Sequence, residues 1–164
     1  MKTLYLIRHA KSDWSDASLS DYDRPLNKRG SNDAPLMGSI LLKSGIRPDF
    51  ILSSPALRAK TTAIAIAQAL SYPPGSIRYD HALYASDVET ILSIIRDVSV
   101  SIDTLFLFGH NPELTECANY ISGGDIDDIP TCGVVAMRLK NDSWESIGAN
   151  SAKISGFDFP KKYR

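Results

Sequence analysis

Thr3-Leu4-Tyr5-Leu6-Ile7-Arg8-His9-Ala10 opens the chain and decides how the rest of it is read. A short, nearly continuous apolar run is what a central parallel strand needs when both of its faces are covered. This run stops abruptly at Arg8-His9. The pattern recurs at Thr104-Leu105-Phe106-Leu107-Phe108, which stops at Gly109-His110-Asn111-Pro112. Residues 49–53 (Asp-Phe-Ile-Leu-Ser) read as a third strand and residues 77–79 as a short fourth. Helical patterns lie between them. One spans Lys28 to Ser44, with Asn27 as N-cap, Gly45 as the stop, and Pro35 expected to shift its start or kink it. A second covers Pro55 to Leu70, with Ser54 as N-cap and Pro55 at the first helical position. A third runs over residues 87–97, and a fourth from Asn111 to Ser122. Residues 133–139 and 144–149 read as a hairpin closing one edge of the sheet. The expected fold is α/β, a three-layer sandwich with a mostly parallel central sheet, in a single domain over residues 1–164.

Composition is that of an ordinary globular chain: 164 residues, 43% hydrophobic and 23% charged. The formal net charge of −1 gives no general attraction to nucleic acid or to an anionic membrane. No run approaches the roughly 20 apolar residues of a membrane span, and the first residues lack the features of a signal peptide. Cys117 and Cys132 have neither metal nor redox spacing. The expectation is a cytoplasmic monomer with two reduced thiols.

In open α/β sheets ligands bind beyond the carboxyl ends of the strands. Reading only those positions yields Arg8-His9, then Ser53-Ser54-Pro55 followed by Arg58, then Gly109-His110. Two helix N-termini face the same rim. Paired guanidinium forks match the oxygens of a phosphate dianion. A neutral imidazole is a competent nucleophile at phosphorus, and a second one supplies a further donor to the equatorial oxygens. No metal is required. Arg58 is out of place in a helix's first turn unless an anion sits nearby. His81 lacks such company and reads as a surface residue, and Trp14 and Trp144 read as packing residues.

Arg-His ending the first strand, Ser-Ser-Pro-x-x-Arg-x-x-x-Thr from Ser53 to Thr62, and Gly-His-Asn-Pro at residues 109–112 together resemble the histidine phosphatase (phosphoglycerate-mutase-like) superfamily. Arg8-His9-Ala10-Lys11, Asp-x-x-Arg-Pro-Leu-x-x-x-Gly from Asp21 to Gly30, and the short length resemble its small SixA-type phosphohistidine phosphatases. The resemblance implies a sheet of about six strands, His9 as the phosphorylated nucleophile, and Arg8, Arg58 and His110 as catalytic and phosphate-binding partners. It implies no metal and no organic cofactor. Arg24 either reaches the phosphate or makes a structural ion pair.

Larger members carry a lid that supplies a carboxylic acid; here residues 80–87 pass straight into a helix. Asp87 and Glu113 are the weak candidates for a general acid, and each is equally explained as a helix starter. The aspartates of the Lys11–Asp23 loop read as solvated or turn-forming. A phosphorylated imidazole leaves as a neutral ring, so a site without a dedicated acid suits phosphohistidine better than an alcohol ester. The expected substrate is therefore a phosphohistidine on a signalling phosphotransfer protein, with phosphate as product. A small-molecule phosphomonoesterase and a non-catalytic phosphate-binding module are the alternatives.

Overall fold

The computed structural model describes residues 1–164. Six strands form one sheet: β1 (Thr3–Arg8), β2 (Phe50–Ser53), β3 (Arg78–Tyr79), β4 (Thr104–Gly109), β5 (Val134–Leu139) and β6 (Ala152–Asp158). Their spatial order is β3-β2-β4-β1-β5-β6. The first four strands are mutually parallel, and β5 and β6 add an antiparallel pair at one edge. Four helices cover the sheet: α1 (Lys28–Lys43), α2 (Leu57–Ala69), α3 (Val88–Arg96) and α4 (Glu113–Ser122).

Strand alternation sorts the core into two halves. Leu4, Leu6, Leu105 and Leu107 pack with α3 and α4, whereas Ile7, Phe106 and Phe108 pack with α1 and α2. Because both faces of β1 and β4 are buried, the two strands read as unbroken apolar runs. Each fully buried Leu or Phe contributes roughly 1.5–3 kcal/mol from its removal from water.

Three local expectations change. The last strand is Ala152–Asp158 rather than residues 144–149. Trp144 instead opens a 3-10 turn, is almost fully buried, and donates its indole N–H to the Ile102 carbonyl at 2.8 Å. The apolar character of that segment goes into a plug under the core. Helix α1 runs unbroken through Pro35, with Asn27 accepting from the Gly30 N–H as its cap. Helix α2 begins at Leu57, and Ser54 accepts from the Ala56 N–H just ahead of it. Cys117 and Cys132 are buried and unpaired. No helix is long and apolar enough to cross a membrane.

Candidate active site

Strands β1 and β4 lie side by side with Arg8 opposite Gly109, so the residues that follow them emerge together. The His9 N–H donates to the Gly109 carbonyl, and the His9 carbonyl accepts from the Cys132 N–H. The two imidazole rings sit 5.2 Å apart, each almost fully buried. Arg8 and Arg58 complete the group, and both their charges act on both rings. All four strand-end residues singled out in the sequence thus converge. None of them lines the cavity of about 450 Å³ bounded by Phe50, Leu52, Arg78 and Ile94.

Hydrogen bonding fixes the tautomer of His9. His9 Nδ1 lies 2.7 Å from the Ala10 carbonyl oxygen. A carbonyl only accepts, so Nδ1 carries the proton and Nε2 keeps its lone pair. Burial pushes His9 down to about 3, opposed by the Ala10 bond and reinforced by His110, Arg58 and Arg8. His110 Nε2 sits 2.8 Å from the Ser54 hydroxyl, while its buried Nδ1 has no partner. Burial and the Arg58 charge push His110 down to about 4. Both imidazoles are neutral at pH 7.

Each arginine is held by its far end. Arg8 Nη1 donates to the Ile129 carbonyl at 2.8 Å and faces Asp128 at 3.6 Å. Arg58 Nη1 donates to the Asp21 carbonyl at 2.7 Å, and its Nη2 to the Asp21 carboxylate at 3.0 Å. In both side chains Nε is buried and unpartnered. Three nitrogens with unmet hydrogen-bonding capacity therefore accompany His9: Arg8 Nε, Arg58 Nε and His110 Nδ1. Buried donors left without acceptors are costly, and an oxyanion is the ligand that satisfies several at once.

The sequence motifs acquire physical roles. Thr62 is fully buried; its hydroxyl accepts from the Ala10 N–H at 3.0 Å and donates to the Arg58 carbonyl at 2.7 Å. It locks the turn after His9 to the first turn of α2. Asn111 donates to the Ile129 carbonyl and Asp128, and accepts from Thr115. That fastens the loop holding Arg8 to the start of α4.

Other expected residues sort differently. Arg24 does not turn its fork outward: Nε and Nη2 both donate to Asp21 Oδ1, and Nη1 to the Ser12 hydroxyl. It makes the structural ion pair. Asp87 caps α3 by accepting from the Thr90 N–H, which holds its carboxyl below the usual range. Glu113 is buried at the first position of α4, and burial pushes its carboxyl up. Trp14 is exposed, with the Arg24 guanidinium 3.4 Å above its ring, whereas Trp144 is packed. No group of three or more His, Cys, Asp or Glu side chains stands in the arrangement of a metal site.

Two participants were not read from the sequence. Asp21, expected to be solvated or turn-forming, receives Arg24, Arg58 and the Tyr84 hydroxyl, the last at 2.7 Å. Tyr84 also sets its ring edge-on against His110 at 5.7 Å. The Asp21-x-x-Arg24 spacing was the available signal for the first; nothing local announced the second.

The model of the histidine phosphatase superfamily (branch 1) matches residues 4–84, the stretch that supplies His9, Asp21, Arg58 and Tyr84. Among solved structures, SixA from Agrobacterium tumefaciens superposes with a TM-score of 0.82 at 28% identity, over 97% of this chain and 98% of that one. The chain belongs to the histidine phosphatase superfamily. Within it, the chain has the size and architecture of the SixA-type proteins. A SixA protein histidine phosphatase complexed with tungstate shares the fold, with a TM-score of 0.85 at 20% identity over 99% of each chain. A chloroplastic protein of Arabidopsis thaliana is 34% identical over 97% of this chain and 78% of its own length. Membership of this superfamily places the chain among phosphatases.

Proposed function

We propose that this histidine phosphatase hydrolyses phosphohistidine through a covalent phosphohistidine on His9, without a metal or organic cofactor. The observation that carries the reading is the set of three unpartnered nitrogens beside a neutral imidazole whose tautomer is fixed. His9 Nε2 attacks phosphorus in line with the departing nitrogen. The new N–P bond leaves positive charge on the ring, and the Ala10 carbonyl accepting from Nδ1 stabilises that charge. Arg8, Arg58 and His110 meet the equatorial oxygens, where negative charge is spread in the transition state. The leaving imidazole, protonated on its other nitrogen, departs neutral and needs no further proton. Water then attacks the phosphorylated His9, releasing phosphate and restoring the ring. One N–P bond is exchanged for another in the first step, so that step runs nearly level in energy.

This chemistry, and the short passage of the chain from β3 into α3, support as substrate a phosphohistidine carried on a folded signalling protein, met by the enzyme as a cytoplasmic monomer. That the tungstate-bound relative of the same fold is a protein histidine phosphatase supports the reading. A second reading, a small-molecule phosphomonoesterase, draws on Glu113, whose buried carboxyl is pushed toward the protonated form a general acid needs.

Trapping tests the proposal. Wild-type protein and His9→Ala are mixed briefly with a phosphohistidine protein labelled at phosphorus, in EDTA, then denatured. Acid-labile label on the wild type alone is expected. Absence of label on wild type leaves a binding module. Rapid turnover of alkyl phosphates with phosphohistidine untouched makes the protein a phosphomonoesterase.

A further inference from the structure

We propose that Asp21 is a positioning residue for the phosphate site, aiming Arg58 by holding the outer end of its guanidinium. The inference rests on the phosphatase reading above and adds a residue that no motif role covers.

The geometry is specific. Asp21 offers three oxygens to the same neighbourhood. Its main-chain carbonyl takes Arg58 Nη1 at 2.7 Å, and Oδ2 takes Arg58 Nη2 at 3.0 Å. Oδ2 also accepts from the Tyr84 hydroxyl at 2.7 Å, and Oδ1 takes Nε and Nη2 of Arg24 at 3.2 and 2.9 Å. Arg58 is thereby gripped end-on, with two nitrogens engaged and the Nε side left free. That free edge is the one with an unpartnered buried Nε. A guanidinium on a helix has several rotamers, and ordering it in advance removes entropy that substrate binding would otherwise cost. Arg24, itself seated on Ser12 and stacked over Trp14, fixes Asp21 from the far side.

Burial works to raise the Asp21 carboxyl, but hydrogen bonds from Tyr84, Arg24 and Arg58 and the Arg58 charge hold it well below the usual carboxylate range. It is an anion at every working pH. An anion beside a phosphate site opposes phosphate by simple repulsion, so its removal should tighten oxyanion binding if charge were its only effect. Aiming Arg58 demands the opposite sign. The two roles are therefore separable by measurement.

The test is a double-mutant cycle read by calorimetric titration of tungstate into the full chain near pH 7.5. Wild type, Asp21→Ala, Arg58→Ala and the double variant are compared, with Asp21→Asn as a near-isosteric second variant and thermal melts confirming each fold. Asp21→Ala is expected to weaken tungstate by about tenfold, the scale of one charge-assisted hydrogen bond. Asp21→Asn, which keeps the main-chain contact and one side-chain acceptor, should fall between it and wild type. In the double variant the loss should match that of Arg58→Ala alone, because a misaimed arginine and an absent one cannot both be counted. The same non-additivity is expected in kcat/KM on phosphohistidine. Losses that add, or variants that bind tungstate as tightly as wild type or more tightly, overturn the positioning role while leaving the phosphatase reading intact. A wild type that binds no tungstate and forms no phosphoenzyme overturns both.

Discussion

Lowering the pH from 7 to 5 should destabilise this protein markedly, and the two site histidines set the size of the effect. Free in the unfolded chain, each imidazole titrates near 6.5; in the folded chain His9 lies at about 3 and His110 at about 4. Between those values the unfolded state binds more protons than the folded one, so stability falls as pH falls. The loss begins near 6.5 and stops growing only below the folded values. At pH 5 each unfolded imidazole gains about 2 kcal/mol from protonation that its buried counterpart forgoes. Together the pair accounts for about 4 kcal/mol, a drop of roughly 10 °C in Tm for a chain of this length. Asp21 adds nothing in this window, because its contribution is lost only below the ordinary carboxylate range. Glu113, pushed up by burial, acts in the opposite sense. Urea unfolding at the two pH values measures the sum, and His9→Asn and His110→Asn should each flatten the difference by about half. Saturating tungstate should shrink it too, since a bound dianion lets the folded rings accept protons. Equal stability of wild type at pH 5 and 7, or variants with unchanged pH dependence, would refute the neutral buried pair.

Thr62→Val keeps the shape but strands the buried Ala10 N–H; a stability loss of about 1–3 kcal/mol by urea unfolding is expected, with kcat falling as the turn after His9 loosens. Glu113→Gln separates the two substrate classes: phosphohistidine turnover should stay within about twofold, while any activity on alkyl phosphates should drop at least ~100-fold in steady-state assays if Glu113 is their acid. Gly30→Ala would put a Cβ 2.1 Å from the Lys11 carbonyl oxygen, backbone that cannot step aside cheaply. A loss of about 1–3 kcal/mol in chemical denaturation is expected, together with weaker tungstate binding as the segment after His9 shifts.

The parts of this molecule that could be read in advance are those where sequence and burial speak locally. Strands β1 and β4 announce themselves because both faces are covered, and Arg8, His9 and His110 follow directly from their ends. Arg58 was legible because a cation in the first turn of a helix conflicts with the helix dipole. Strand β6 was not, because an edge strand with one half-exposed face carries weak patterning, while the Trp144 plug nearby carries a strong one. Asp21 stayed hidden for a different reason. Its partners Arg58 and Tyr84 lie 37 and 63 positions away, and one aspartate among four in a polar loop looks like any other. Arg24 was left between two roles, and the geometry decided it through a contact only three residues long.

Both arginines of the candidate site are anchored on main-chain oxygens, Arg8 on Ile129 and Arg58 on Asp21. Such anchors belong to the path of the chain and not to any side chain. Ile129 is itself fully buried, so only a replacement that preserves its packing leaves its carbonyl in place, whereas removing or inserting one residue nearby moves it by more than a hydrogen bond can stretch. The loops over residues 12–24 and 124–131 are therefore constrained in length, and Ser12, Asp21 and Arg24 in the first of them are constrained in composition as well. A one-residue deletion in either loop should cost the site more than most single substitutions there.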